Sequence, residues 1–386
     1  MSKTNYPDQR LESIDALRGF DMLFIMGGAA LVSAIASFWP ESSFWQWATL
    51  QMSHVPWEGM RHHDTIFPLF LFIAGISFPF SLNKQRSKGK TTSDIVRKII
   101  IRGLMLVFLG LLYNGLLNFK FSTLRFPSVL ARIGLAWMFA ALAYTFIHKK
   151  AYRVVLAAVL LIGYWLVMAN IPSPTAPPGA DIFSKEGSIA CYLDPLILGA
   201  HSYRDNYDPE GILSTIPAIS TALLGMLAGD WVRYIPKKSN SLLDKILATG
   251  SRKALTLAVT GAVLWGLGLL WGKVFPINKA LWSSSFVLAV GGYSFLMFAL
   301  FYYIIDVLKW RKWDKFFVVI GLNSITIYLG QRFIAFWETQ HRVFDGLRNL
   351  FAEGSGWYNL IDASSYILVC WLFLYFLYKQ KIFLKV

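Results

Sequence analysis

Long apolar runs follow one another along almost the whole chain, and they constrain the fold more than any other feature. An α-helix needs about 20 mainly apolar residues to cross the hydrocarbon of a bilayer. Each run is close to that length, so we predict an all-α polytopic integral membrane protein with about ten transmembrane helices. The predicted spans are residues 16–38, 65–82, 98–118, 127–147, 152–170, 211–231, 254–272, 283–308, 316–336 and 360–379.

The lysines and arginines decide the predicted orientation. They lie mainly in short loops between the apolar runs, where they set topology, so the net charge of +15 does not predict nucleic-acid binding. With the N-terminus in the cytoplasm, the inside segments hold 26 of the 37 lysines and arginines. We therefore predict that both termini are cytoplasmic, that residues 1–15 form a cytoplasmic segment, and that residues 171–210 form the longest extracytoplasmic loop.

Three sequence features exclude other classes of protein or site. The first apolar run has no small-residue cleavage site, so we interpret it as a retained membrane helix and not as a signal peptide. The cysteines, Cys191 and Cys370, provide neither a metal site nor a disulfide framework. No P-loop, Rossmann fingerprint or zinc-protease motif is present, so the sequence does not predict nucleotide hydrolysis or a bound metal.

The segment that leads into the second span carries three of the six histidines, namely His54, His62 and His63, and ends at Asp64. Placing titratable groups near hydrocarbon costs free energy, so such groups are typical of catalytic sites or of polar pathways through the membrane. His54 can exchange a proton or a group near neutral pH, and Asp64 can orient it. The plain alternative is a solvated loop histidine. His62 and His63 are weaker candidates, because adjacent residues do not share a helix face.

Charged residues also lie at or inside the ends of spans. Asp15, Arg18 and Asp21 are spaced by three and so lie along one helical stripe. They are either an interfacial ion pair or a site where Arg18 binds an anion, because its planar fork suits phosphate. Arg102 and Arg132 either extend towards the membrane surface or face protein and water.

Five further residues have a structural interpretation, a functional one or neither. Asp208 and Glu210 are typical of a turn and an acidic helix start, and they are equally suited to bind a sugar hydroxyl or an amine. Asn323 is a mid-span amide of the kind that joins helices. Lys279 and Trp282 are expected at an outer interface, where Trp282 fits an aromatic belt and Lys279 has no evident role.

Six stretches in one order carry a family resemblance. They are Arg10–Gly19, His54–Pro68, Arg125–Gly134, Tyr207–Ile216, Asn278–Ser283 and Gly321–Tyr328. Together they resemble the transmembrane heparan-α-glucosaminide N-acetyltransferases, in particular their bacterial branch. The resemblance implies one transmembrane acyltransferase domain over residues 1–386. It also implies a homodimer in the bacterial cytoplasmic (inner) membrane. The asymmetry of lysine and arginine places the His54 segment on the extracytoplasmic side.

The resemblance implies transfer of an acetyl group from cytoplasmic acetyl-CoA to the amine of a glucosamine-type sugar. His54 matches the histidine regarded as catalytic in that family, and Asp64 matches the acidic residue that follows it. The family also has an asparagine between the first helix and this histidine, and no matching asparagine lies between Gly19 and His54. The bacterial branch has Asp21 instead.

The implied roles cover three groups of residues, and no metal is expected. The catalytic candidates are His54, Asp64, Asp21 and Asn323, where His54 takes the acetyl group or deprotonates the acceptor amine and Asn323 or a backbone N–H stabilises the oxyanion. The candidates for binding acetyl-CoA are Arg18, Arg102, Arg132 and Asp15. The candidates for binding the sugar are Trp57, Glu58, Asp208, Glu210, Lys279 and Trp282. A cavity open to the cytoplasm, with a recessed site, follows from the thickness of the bilayer.

Three alternatives remain open from the sequence. The first is O-acetylation of a cell-envelope glycan by the same donor and histidine, since the acceptor leaves little trace in a sequence. The second is a membrane transporter that uses Asp15, Arg18, Asp21 and Asp64 as a relay, although no repeated halves are visible. The third is a structural membrane subunit without activity.

Overall fold

The computed structural model describes residues 11–203, 207–236 and 242–384. The first ten residues of the predicted N-terminal segment lie outside these ranges, as do residues 204–206 of the predicted long loop. Within the described residues the regular secondary structure is helical, apart from isolated β-bridge positions such as Pro172 and Ser188, which pair with each other. The prediction of an all-α fold is confirmed.

Sixteen α-helices account for the described architecture. In chain order they are α1 (Glu12–Leu23), α2 (Ala29–Ala36), α3 (Ser43–Gln51), α4 (His62–Ser87), α5 (Thr92–Tyr113), α6 (Val129–Phe146), α7 (Lys150–Asn170), α8 (Ile189–Leu198), α9 (Thr215–Arg233), α10 (Leu242–Ile246), α11 (Gly250–Trp271), α12 (Ser284–Phe301), α13 (Asp314–Leu322), α14 (Ser324–Phe333), α15 (Phe336–Arg348) and α16 (Gly356–Lys379). A π-helical segment, Phe24–Gly28, joins α1 to α2, and another, Tyr302–Val307, extends α12.

Among the described residues, eight helices are long and apolar enough to cross a membrane. They are α1 with α2, α4, α6, α7, α9, α11, α12 with its extension, and α16, and the bent pair α13 and α14 would make a ninth. The 22-residue helix α5 corresponds to the predicted span 98–118, but it carries Arg97, Lys98 and Arg102. The prediction of a polytopic membrane protein is confirmed, whereas the side on which the termini lie stays a prediction.

The predicted span 316–336 is not one straight helix. It breaks at Asn323 into α13 and α14, which are bent by 67° relative to each other. The backbone of Asn323 leaves the helical region, with φ −123° and ψ 30°. Its side-chain amide donates to the carbonyl oxygen of Ile382 at 3.1 Å. Asn323 therefore contacts the C-terminal tail, and its interpretation as a mid-helix amide between helices is wrong.

Helix α4 is the centre of the bundle and packs against α1, α6, α9 and α12. Helices α1 and α13 approach so closely that only glycine fits at two positions. A Cβ on Gly19 would lie 1.8 Å from the carbonyl oxygen of Phe317, and one on Gly321 would lie 1.9 Å from that of Asp15. This close approach places the neighbouring Arg18 beside the break between α13 and α14.

Candidate active site

A cavity of about 590 Å³ runs along α4. Helix α4 contributes a stripe of residues spaced by three or four, which is one helix face. These residues are His63, Ile66, Phe67, Phe70 and Ala74. Similar stripes come from α1, with Arg18, Met22 and Ile25, and from α6, with Val129, Leu130, Ile133 and Trp137. The cavity is therefore a slot between helices, with mainly apolar walls.

Most of the polar lining residues gather at two separate ends of this slot. We call the first the His54 end, and it includes His54, His63, Glu210 and Lys279. We call the second the arginine end, and it includes Arg18 and Arg102, with the apolar Phe383 and Leu384 of the C-terminal tail beside them.

The distance between the two ends follows from contacts on α4. Arg18 donates to the Oγ of Ser77 at 3.4 Å, and Arg102 lies over Trp137, whose indole donates to the carbonyl of Ala74. Ser77 follows Asp64 by 13 residues in α4, a rise of about 20 Å. One continuous slot therefore joins two groups of polar side chains that lie far apart.

His54 and Asp64 form the central contact of the His54 end. The His54 Nδ1 lies 2.6 Å from the Asp64 Oδ1, and Asp64 is buried while the His54 side chain is 55% exposed. The second carboxylate oxygen accepts from the backbone N–H groups of Val55 at 3.3 Å and Arg61 at 3.1 Å. Because an ionised carboxylate only accepts, this bond places a proton on Nδ1, and a neutral ring in this tautomer has its lone pair on Nε2.

The loop before α4 holds His54 in place. Gly59 donates its N–H to the carbonyl of Ile277 at 2.7 Å, which ties this loop to the one before α12. Arg61 donates to the carbonyl of His54 at 2.9 Å and to the Oγ of Ser53 at 2.7 Å. The sequence interpretation did not find the role of Arg61, because nothing in the local pattern distinguishes it from a loop cation.

Lys279 lies beside the histidine and aspartate. Its Nζ is 3.2 Å from the His54 Nδ1 and 3.5 Å from the Asp64 Oδ1, and its side chain is 20% exposed. Burial lowers the pKa of the Lys279 ammonium, although the charges of Asp64 and Glu210 oppose this shift. The residue without an evident role in the sequence is therefore a neighbour of the predicted catalytic pair.

The two histidines that follow behave as the helical spacing predicts, since only one faces the cavity. The ring of His63 lines the slot, 4.5 Å from the ring of His54. His62 points elsewhere, with its Nδ1 3.3 Å from the hydroxyl of Tyr293 and its ring 4.4 Å from Phe24.

Asp208 and Glu210 share one arginine. Arg125 binds both oxygens of Asp208, at 3.0 and 2.5 Å, and also donates to Oε2 of Glu210. Burial alone would lower the pKa of Arg125, but the bonds to Asp208 and the charge of Glu210 raise it. Asp208 is buried and outside the cavity lining, whereas Glu210 lines it. Of this predicted sugar-binding pair, the structure brings only Glu210 to His54.

Trp282 is not in an aromatic belt, and that expectation is wrong. The side chain is completely buried, its indole donates to Thr221 at 3.2 Å, and its ring packs against Phe67 at 4.9 Å. The guanidinium of Arg132 lies 4.9 Å from the same ring. Trp282 belongs to the core behind the cavity because the loop before α12 folds inward.

Arg132 is separated from the other two candidate arginines. It is only 1% exposed, so it does not extend to the membrane surface. It donates to the carbonyl of Gly211 at 3.2 Å and to the hydroxyl of Ser214, and it is not part of the cavity lining. Arg18, by contrast, donates to Asp15 at 3.2 Å and to the carbonyl of Gly321 at 3.5 Å at the arginine end.

Apart from Asp64, five other predicted site residues lie outside the cavity lining, and the first of them is Asp15, which accepts from Arg18. The indole of Trp57 donates to the carbonyl of Phe183 at 2.9 Å and packs among the loops, and Glu58 is exposed. Asp21 is buried in α1, and its Oδ2 has no hydrogen-bond partner among the described residues. Asn323 contacts the C-terminal tail instead of the slot. Within the described ranges, no group of three or more His, Cys, Asp or Glu residues is arranged to hold a metal ion.

Comparisons with known proteins match this chain to one family model and to two curated proteins. A family model described as "Heparan-alpha-glucosaminide N-acetyltransferase, catalytic" matches residues 10–261. The chain is 27% identical over 432 residues to the heparan-alpha-glucosaminide N-acetyltransferase of Mus musculus, which covers 100% of this chain and 63% of the mouse protein. It is 26% identical over 424 residues to the enzyme of that name from Homo sapiens, covering 98% and 60%. The chain thus spans about three fifths of the length of the curated relatives that it matches.

Proposed function

Because the chain belongs to the heparan-alpha-glucosaminide N-acetyltransferase family, a family of transmembrane acetyltransferases, we propose the following reaction. The protein transfers the acetyl group of acetyl-CoA to the amine of a glucosamine-type sugar across the membrane. Acetyl-CoA enters from the cytoplasm at the arginine end, and the sugar enters from the extracytoplasmic face at the His54 end. The observation that supports this most directly is the single slot that connects the His54–Asp64 pair to two arginines.

The arginine end suits the donor. Arg18 and Arg102 place two guanidinium groups at the same level of the slot, and such groups bind phosphate oxygens with a planar fork. The apolar stripes of α4 and α6 suit an extended, uncharged arm that reaches from these arginines towards His54. Arg132 takes no part in this, since its guanidinium is held by Gly211 and Ser214.

The His54 end suits the chemistry. As the amine nitrogen attacks the carbonyl carbon of the thioester, His54 Nε2 takes one proton from that nitrogen. The new C–N bond forms, the C–S bond breaks, and the departing thiolate receives the proton from the imidazolium. Asp64 holds the ring and stabilises its positive charge, while Lys279 offsets the charge of Asp64 in the resting state. If His54 instead takes the acetyl group first, the same Nε2 atom reacts.

The location and assembly rest on the sequence. The excess of lysine and arginine in the predicted inside segments supports a cytoplasmic position for both termini. The family resemblance alone supports a homodimer in the bacterial cytoplasmic membrane.

The experiment uses purified protein in liposomes with radiolabelled acetyl-CoA and glucosamine. The wild type should form N-acetylglucosamine, and His54→Ala should form none while keeping its fold. His148→Ala is the matched control, because His148 is an exposed loop histidine. Equal activity of His54→Ala and the wild type would remove His54 from the reaction. Acetyl transfer only to sugars that lack an amine would replace the proposal by O-acetylation.

A further inference from the structure

Glu210 is the one carboxylate among the described residues that line the cavity. Its Oε2 accepts from Arg125, and Arg125 is itself held by both oxygens of Asp208. Its Oε1 has no hydrogen-bond partner in the part of the chain that the structure describes. The result is a carboxylate held in a fixed position, whose Oε1 accepts no hydrogen bond from the described residues.

Tyr328 of α14 lines the same cavity, and its ring stacks on Tyr113 with a centroid distance of 4.8 Å and an angle of 19°. Tyr113 is the last residue of α5, and the next residue, Asn114, donates to the carbonyl of Arg125 at 2.9 Å. This places the two tyrosines beside the arginine that holds Glu210. Tyr328 therefore belongs to the His54 end of the cavity.

An aromatic ring and a fixed carboxylate have a common kind of ligand. The face of a tyrosine ring is electron-rich and apolar, so it packs against the C–H face of a pyranose ring. A carboxylate oxygen accepts strong hydrogen bonds from ring hydroxyls or from an ammonium group. Neither feature suits the phosphates of the donor, which the arginine end accommodates.

We propose that Tyr328 and Glu210 form the subsite that binds the pyranose ring of the acceptor. The sugar packs on the Tyr328 ring, which Tyr113 supports from behind, and Glu210 Oε1 accepts a hydrogen bond from a ring hydroxyl or from the amine. This inference rests on the proposed function, because it assigns the sugar that the acetyl group reaches.

The test compares Tyr328→Leu and Glu210→Gln with the wild type, in purified full-length protein. Tyr152→Leu is the matched control, because Tyr152 is an exposed tyrosine on α7 that lies outside the cavity lining. Radiolabelled glucosamine is titrated in the absence of acetyl-CoA, and the KM values for glucosamine and acetyl-CoA are measured separately. Tyr328→Leu and Glu210→Gln should each raise the Kd and the KM for glucosamine about tenfold, whereas Tyr152→Leu should stay within about twofold of the wild type. The KM for acetyl-CoA should not change in any variant.

Unchanged glucosamine binding in both Tyr328→Leu and Glu210→Gln would overturn the subsite even if the wild type transfers acetyl groups. A rise in the KM for acetyl-CoA alone would also overturn it, because Tyr328 would then act on the donor. If the wild type binds glucosamine but transfers nothing, the proposed function fails. Loss of that binding in Tyr328→Leu would still support the subsite. Glu210→Gln keeps the contact with Arg125 and decides the matter if Tyr328→Leu does not fold.

Discussion

Loops supply three of the polar side chains at the His54 end of the cavity, whereas the middles of helices supply both arginines of the arginine end. His54, Glu210 and Lys279 all come from connections between helices, and hydrogen bonds and ion pairs link them to Asp64 and Arg125. Arg18 and Arg102 come from within α1 and α5, and their surroundings are mainly apolar.

This difference suits the His54 end to proton transfer and the arginine end to binding of the donor. A network of short bonds fixes the positions of side chains, as a proton transfer requires. A guanidinium on a helix wall supplies charge for binding, with less demand on geometry. Changes to the His54–Asp64 pair should therefore act mainly on kcat, and changes at the arginine end mainly on the KM for acetyl-CoA.

The largest effect is expected for Asp64→Asn. Asparagine can donate a hydrogen bond to Nδ1 and cannot stabilise an imidazolium, so the ring takes the wrong tautomer. We expect kcat to fall about 10³-fold, with the KM for acetyl-CoA unchanged, as measured by steady-state acetyl transfer. Asp181→Asn, an exposed loop change, serves as the control. A fall of less than tenfold would mean that Asp64 only stabilises the loop.

The next effect tests the arginine end. Arg102→Gln should raise the KM for acetyl-CoA about tenfold and leave the KM for glucosamine unchanged. Arg97→Gln, an exposed arginine on the same helix α5, should behave like the wild type. A change in kcat without a change in KM would contradict the division of roles between the two ends.

A smaller effect concerns pH at the His54 end. Because burial lowers the pKa of Lys279, its ammonium loses the proton at lower pH than an ordinary lysine does. If the ammonium supports the reaction, kcat of the wild type declines as pH rises through this value. Lys279→Arg keeps its charge, so its alkaline decline should move to higher pH, with activity at neutral pH within about threefold of the wild type. Superimposable pH profiles would exclude Lys279 as the group responsible.

The smallest effect is expected at the C-terminal tail. Phe383 and Leu384 fill part of the arginine end, and Asn323 holds the tail through Ile382. Phe383→Ala should lower the KM for acetyl-CoA about twofold by removing apolar contacts that the donor must displace. A rise in that KM would indicate that Phe383 binds the donor.

Most of the fold could be predicted from the sequence, because a lipid environment demands about 20 apolar residues for each span. The His54–Asp64 pair was visible for a related reason, since titratable groups at the mouth of a span are costly. The bend at Asn323 was not visible, because no proline marks it and a single glycine such as Gly321 is tolerated within a helix. Trp282 was predicted at the membrane interface but lies in the core. Tryptophan is enriched at that interface only on average, and its large apolar ring packs equally well in a protein interior.

The contacts that complete the candidate site were beyond sequence reasoning. Lys279 meets His54 across 225 positions of the chain, and only the folded loops bring them together. The position of Tyr328 beside Arg125 depends on the bend that precedes it. Such contacts depend on how helices pack, and the spacing of residues along the sequence does not predict that packing.

In the proposed reaction, an acetyl group passes through one cavity of the protein from one side of the membrane to the other. The direct test traps glucosamine inside sealed proteoliposomes and adds radiolabelled acetyl-CoA only to the outside. We predict that labelled N-acetylglucosamine accumulates inside vesicles that contain the wild type and not in those that contain His54→Ala. Product that forms only when acetyl-CoA and glucosamine are on the same side would contradict the account.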